Sequence, residues 1–132
     1  MKALLFLPLL VMSVWITGCT KKYEYVTPNQ TIQTDIAPGD WKLINNGKSY
    51  AVTISMPEIT DQVNQEFGIV VSVSGDGGTF EAIPEVYGGY SYSYTHTVGS
   101  LTIETQAVSG TTAGTPPSST ITVKIVLVES EP

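Results

Sequence analysis

The 132-residue chain carries 12 Asp and Glu against 6 Lys, with no arginine, for a formal net charge of −6. It lacks the clustered basic side chains that a phosphate backbone requires, which excludes nucleic acid as the obvious partner. Its length holds one small domain, and 42% hydrophobic residues with 14% charged mark an ordered chain rather than a disordered tail.

The first element is an export signal. Met1-Lys2 gives a positive start and Ala3 to Trp15 is an almost unbroken apolar run. The run is short of the roughly 20 apolar residues of a good spanning helix, and polar Thr20-Lys21-Lys22 follows almost at once. Ile16-Thr17-Gly18-Cys19 resembles the bacterial lipobox. That resemblance implies diacylglyceryl transfer to the Cys19 thiol, cleavage before Cys19, and acylation of the new amine by a palmitate-type chain. Cys19 is the only cysteine, so it has no disulfide partner. Thr20 rather than Asp after the cysteine implies, in the lipoprotein pattern, passage to the outer membrane, on its periplasmic or its cell-surface face. The expected organisation is a signal peptide over 1–18, the lipidated cysteine and a tether over 19–30, and one domain over 31–130.

Past the tether, period-two alternation predicts strands. Ile32, Thr34 and Ile36 alternate with polar neighbours up to the turn Ala37-Pro38-Gly39-Asp40. Trp41 to Ile44 leads into Asn46-Gly47, a pair suited to a two-residue type I′ hairpin. Lys48 to Met56 follows, with Tyr50, Val52, Ile54 and Met56 on one face. Ile59, Val63 and Phe67 fall at helical spacing, with Thr60 placed to cap and Gly68 to terminate. Further strands are predicted over Ile69–Ser74, Thr79–Ile83, Tyr90–Thr97, Leu101–Val108 and Thr120–Val128, separated by Gly75-Asp76-Gly77-Gly78, Val98-Gly99-Ser100 and a Gly/Ser/Thr/Pro loop over Ser109–Ser119.

Seven to eight short strands with one short helical segment predict an all-β fold, a β-sandwich with Greek-key or immunoglobulin-like wiring. Val52, Ile54, Val71, Ile103, Val123 and Ile125 are the expected core. The order Pro38-Gly39-Asp40-Trp41, Met56-Pro57-Glu58-Ile59-Thr60, Gly68-Ile69-Val70-Val71, Pro84, Tyr92-Ser93-Tyr94 and Gly99-Ser100-Leu101-Thr102-Ile103, closed by a valine-rich strand, resembles a group of small uncharacterised lipoproteins of Bacteroidota-type bacteria. The resemblance implies a single β-sandwich and no particular active-site residues. Lys21-Lys22 stands where some such proteins carry an acidic surface-export signal, which argues against display on the cell surface.

Nucleophilic catalysis requires a base held by a third group, and the chain has one imidazole, His96, among phenols and hydroxyls. One His and a lipidated Cys do not make a zinc site. No catalytic, metal or cofactor-binding residue is expected. Glu58 with Asp61 and Glu81 with Glu85 are the carboxylate pairs that glycoside cleavage would need, but their separation is not legible in sequence. The informative feature is the row Tyr90, Tyr92, Tyr94 and His96 with nearby Tyr87. It is either a platform for stacking a sugar or a protein partner, or a packed face with high β propensity, and the packed face is the expected one. The expected function is that of an envelope lipoprotein, held to the membrane by its lipid and acting as a non-catalytic binding or accessory module toward a glycan or an envelope protein. A small hydrolase that cleaves glycans with paired carboxylates is the alternative.

Overall fold

The computed structural model describes residues 28–110 and 112–130. The expected signal peptide, Cys19 and most of the expected tether lie outside the described residues. Among the described residues nine strands form two antiparallel sheets, and the all-β sandwich expected from the alternation is the fold.

One sheet has the order β1 (Gln30–Ile36), β9 (Ile121–Val128), β4 (Gly68–Ser74), β5 (Glu81–Ile83). The other runs β2 (Lys42–Ile44), β3 (Ser49–Met56), β8 (Gly99–Ala107), β7 (Tyr90–Thr97), β6 (Glu85–Tyr87). The chain therefore changes sheet after β1, β3, β5 and β8.

Period two decides which side chains meet. In β9, Ile121, Val123, Ile125 and Leu127 are buried and alternate with half-buried neighbours. In β8, Leu101, Ile103 and Thr105 are buried, and Ile103 stands between Val52 of β3 and Tyr94 of β7. Of the six residues expected in the core, five are buried, and Ile54 is half-buried but packed against the same cluster. Trp41 and Ile59, which lie outside the strands, are buried in that cluster too.

Local details differ from expectation in three places. Asn45, Asn46 and Gly47 all have positive φ (53°, 56° and 82°), and β2 pairs Ile44 with Ser49, so the loop is longer than a two-residue type I′ turn. Asparagine tolerates the left-handed region because its short amide bonds locally. The two-residue hairpin is instead Gly88-Gly89, both at positive φ, between Tyr87 and Tyr90, which pair. It creates β6, a strand that the three residues after Pro84 are too short to announce. The helix α1 (Asp61–Glu66) is capped as expected, with the Val63 amide donating to Thr60 Oγ1 at 3.2 Å. It ends at Phe67 in extended backbone, and Gly68 opens β4 rather than terminating the helix.

The two ends of the sandwich differ. Residues 28–30, α1 and the Val98-Gly99 turn share one end, since Gln30 pairs with Leu127, Gly68 with Val128 and the Gly99 amide bonds the Ile59 carbonyl. The Gly75–Phe80 turn, Gly88-Gly89 and the segments 108–110 and 112–120 share the other.

Candidate functional site

At that second end the sandwich opens. β5 is the edge of one sheet and β6 the edge of the other, and only Pro84 separates them. The chain thus leaves one sheet and joins the other within a residue, and the two edges diverge to leave a cleft of about 490 Å³. That is within the range of small-molecule sites. Its walls are Val73, Ser74, Gly75, Asp76, Thr79 and Glu81 from the β4–β5 hairpin, Glu85, Tyr87 and Tyr92 from the opposite sheet, and Pro117 and Ile121.

Register explains why the carboxylates are there. Glu81 pairs with Val73 and Ile83 with Val71, so Glu81 occupies the inner face of β5, one step outward from buried Ile83. Glu85 pairs with Tyr92, which pairs with Thr105, so Glu85 occupies the inner face of β6. The two carboxyls line the same cleft, and partial burial, followed by the neighbouring Glu81 carboxyl, pushes Glu85 above the usual carboxylate range.

Asp76 is held differently. Its Oδ1 accepts from the amides of Gly78 (2.8 Å) and Thr79 (2.7 Å) and from Ser74 Oγ (2.9 Å), while the Gly77 amide donates to Ser74 Oγ at 2.9 Å. These donors favour the carboxylate and lower its pKa from 3.8 to about 2. A depressed pKa stabilises the turn above the ordinary value and loses that contribution as pH falls through the folded one. A carboxyl-carbon NMR titration of Asp76 is therefore expected to show a midpoint near 2, with the Gly78 and Thr79 amide shifts following it. A midpoint near 3.8 would show that the turn is not formed this way.

The structure separates the aromatic row. Tyr90 packs on Gly114, whose φ is +71° and where a Cβ would fall 2.5 Å from the ring, and the Tyr90 hydroxyl meets Thr115 Oγ1 at 3.2 Å. Tyr92 is half-buried, packs on the core and floors the cleft; burial pushes its phenol up, against the opposing effect of the Thr105 hydroxyl. The Tyr94 hydroxyl donates to the Ile69 carbonyl, bonding one sheet to the other. His96 Nδ1 donates to Asn64 Oδ1 of α1 at 2.8 Å, at the far end from the cleft. Tyr87, 66% exposed, stands at the rim. Of the five aromatic candidates, Tyr87 and Tyr92 share the cleft, and Tyr90, Tyr94 and His96 are engaged elsewhere.

The walls missed by sequence reasoning are Val73, Ser74, Gly75, Asp76, Thr79, Pro117 and Ile121, which come from separated segments. Glu81 and Glu85 are signalled as acids four apart flanking Ile83-Pro84, and Tyr87 and Tyr92 by the aromatic row. Glu58 and Asp61 lie at the α1 end, away from the cleft. Among the described residues no group of three or more His, Cys, Asp or Glu is placed to hold a metal ion, and no helix is long and apolar enough to cross a membrane. Compared with protein-family models, with curated proteins and with solved structures, the chain gives no match.

Proposed function

We propose that this chain is an envelope lipoprotein, anchored in the outer membrane through Cys19, whose β-sandwich is a non-catalytic binding or accessory module with its ligand in the cleft between β5 and β6. The cleft is the observation that carries the binding reading. It has an aromatic floor and rim, and its convergent polar groups come from both sheets. The anchor rests on the Ile16-Thr17-Gly18-Cys19 motif.

The position of the cleft suits an anchored protein. The chain enters the sandwich at residues 28–30, and β1 then runs seven residues to Ile36, which pairs with cleft-lining Ile121. A strand of that length spans about 20 Å, so a lipid attached before the tether leaves the cleft at the far end, open to solvent.

The hydrolase reading is favoured by one observation, that two carboxyls, Glu81 and Glu85, line the same cleft. Cleavage needs two carboxyls held at a defined separation on either side of a glycosidic bond, whereas Glu81 is an exposed side chain on the edge strand β5, so binding is the reading the cleft supports.

Two measurements test the proposal. Cys19→Ser is expected to abolish palmitate labelling and to release mature protein to the soluble fraction or leave the precursor uncut; unchanged labelling and fractionation would remove the anchor. A fragment screen followed by backbone amide shifts is expected to give perturbations centred on Ser74–Thr79, Glu81, Glu85, Tyr87 and Tyr92. Hits centred elsewhere would remove the cleft as the binding site.

A further inference from the structure

We propose that two copies of this chain pair through the free edge of β1, antiparallel about a twofold axis at Gln33, so that their β1-containing sheets join into one. The pairing uses the side of the sandwich away from the β5–β6 cleft, since β1 and β5 are opposite edges of the same sheet.

Among the described residues the two sheets end in four strands, and three of these are blunted. β2, β5 and β6 are three residues long and carry Lys42, Glu81 and Glu85, and β5 stops at Pro84, which has no amide to donate. β1 is seven residues long and in unbroken register with β9, with no bulge, proline or lysine. Alternate residues of such a strand turn both backbone groups away from their one partner, which leaves roughly six N–H and C=O groups unpaired along the edge.

The space beside that edge is open. β2 pairs with β3 only as far as Ala51, and a cleft of about 500 Å³ lies between Thr34, Asp35 and Ile36 of β1 and Val52, Thr53 and Ile54 of β3. Inner-face side chains on this side are incompletely covered. Ile32 and Ile54 are half-buried, although Ile125 and Leu101, with which they pair, are fully buried.

The residues of β1 fit a second β1. Pairing the whole strand antiparallel sets Gln30 opposite Ile36, Thr31 opposite Asp35, Ile32 opposite Thr34 and Gln33 opposite itself. Inner residues then meet inner ones and outer residues outer ones. Asp35 is the only charge on the strand, and it meets a threonine hydroxyl rather than another carboxylate. Its Oδ1 already accepts from Thr122 Oγ1 at 2.9 Å, and its other oxygen is available to Thr31 of the second copy. Gln33 meets an amide that both donates and accepts. An axis at Asp35 would instead set like charges opposite each other. On the inner face Ile32 gains cover from Thr34 of the second copy, but main-chain hydrogen bonds dominate, which makes this a transient pair rather than an obligate dimer.

The test introduces cysteines into the full chain in detergent micelles, at about 0.15 M salt to screen the repulsion between two acidic copies. Under mild oxidation Gln33→Cys is expected to bridge to itself, since directly opposed residues of an antiparallel pair stand within disulfide reach. Thr31→Cys alone and Asp35→Cys alone are expected not to bridge, whereas an equimolar mixture of the two is. The unsubstituted chain measures any bridge through Cys19, and Thr95→Cys, exposed on β7 of the other sheet, measures random collision. Gln33→Glu is expected to weaken self-association at least about fivefold in sedimentation between about 10 μM and about 1 mM, because like charges meet at the axis. Its melting temperature should hold, since within its own sheet the new carboxylate faces Lys124. Bridging by Gln33→Cys no faster than by Thr95→Cys, or a monomer at every concentration, would overturn the proposal. So would bridging by Thr31→Cys or Asp35→Cys alone as readily as by their mixture, or self-association that Gln33→Glu leaves unchanged, because the contact would then have another register or another surface.

Discussion

Replacing Ile103 with alanine is expected to cost about 2–5 kcal/mol, and Ile125→Ala a similar amount, because each leaves a cavity that the surrounding strands cannot close. Ile103 is fully buried on β8, between Val52 and Tyr94; Ile125 is fully buried on β9, between Ile32 and Val71. Both strands are interior to their sheets. Their neighbours are fixed by hydrogen-bonded ladders on two sides and have little freedom to collapse inward. A domain of this size has roughly 5–15 kcal/mol to lose, so either variant should melt at least about 10 °C lower. Thr95→Ala is the matched control, exposed on the outer face of β7 beside Thr102, and is expected within about 0.5 kcal/mol of wild type. Thermal and urea unfolding check all three. An Ile103→Ala protein that melts like wild type would mean that the inward face of β8 has been assigned to the wrong residues, the outcome of a one-residue shift in register.

The faces of the long strands were legible because burial on one side imposes alternation. Ile121, Val123, Ile125 and Leu127 could be assigned to one face from β9 alone, and Leu101 and Ile103 from β8. In β4 the residues Ile69-Val70-Val71 read as a continuous apolar run, yet Val70 is 50% exposed between two buried neighbours. Composition hides the period when the outward residue is also apolar. β6 was not legible, since three residues hold too little pattern to show alternation and Pro84 reads as the end of a strand rather than a passage between sheets. The cleft depends on that passage. Ser74, Glu85, Tyr92 and Ile121 meet only because β5 and β6 belong to opposite sheets, and no spacing along the chain encodes it. The alternating tyrosines showed that Tyr90, Tyr92 and Tyr94 share a face. They did not show that the ends and the middle of that face are covered by different things: a loop over Tyr90, the opposite sheet over Tyr94, and open cleft beside Tyr92.

That difference makes the tyrosines separable by experiment. Tyr94→Ala is expected to cost about 3–5 kcal/mol, since it removes a ring packed on the core and the hydroxyl that bonds the Ile69 carbonyl across the sandwich. Tyr94→Phe keeps the ring and isolates the hydrogen bond, for an expected loss of about 1 kcal/mol with the carbonyl left short of a donor. Tyr92→Ala, at a half-buried position that also floors the cleft, is expected to cost roughly 2–3 kcal/mol and to weaken binding of cleft fragments as well, because one side of its ring touches the core and the other the cavity. Tyr87→Ala removes a ring that is 66% exposed at the rim. Its melting temperature should stay close to wild type while the cleft loses an aromatic wall, so binding should weaken without destabilisation. Chemical denaturation and amide-shift titration on the same four variants give stability and binding independently. Wild-type stability in both Tyr92→Ala and Tyr94→Ala would turn the whole row outward, away from the core, and make the aromatic face rather than the cleft the surface to examine for a ligand.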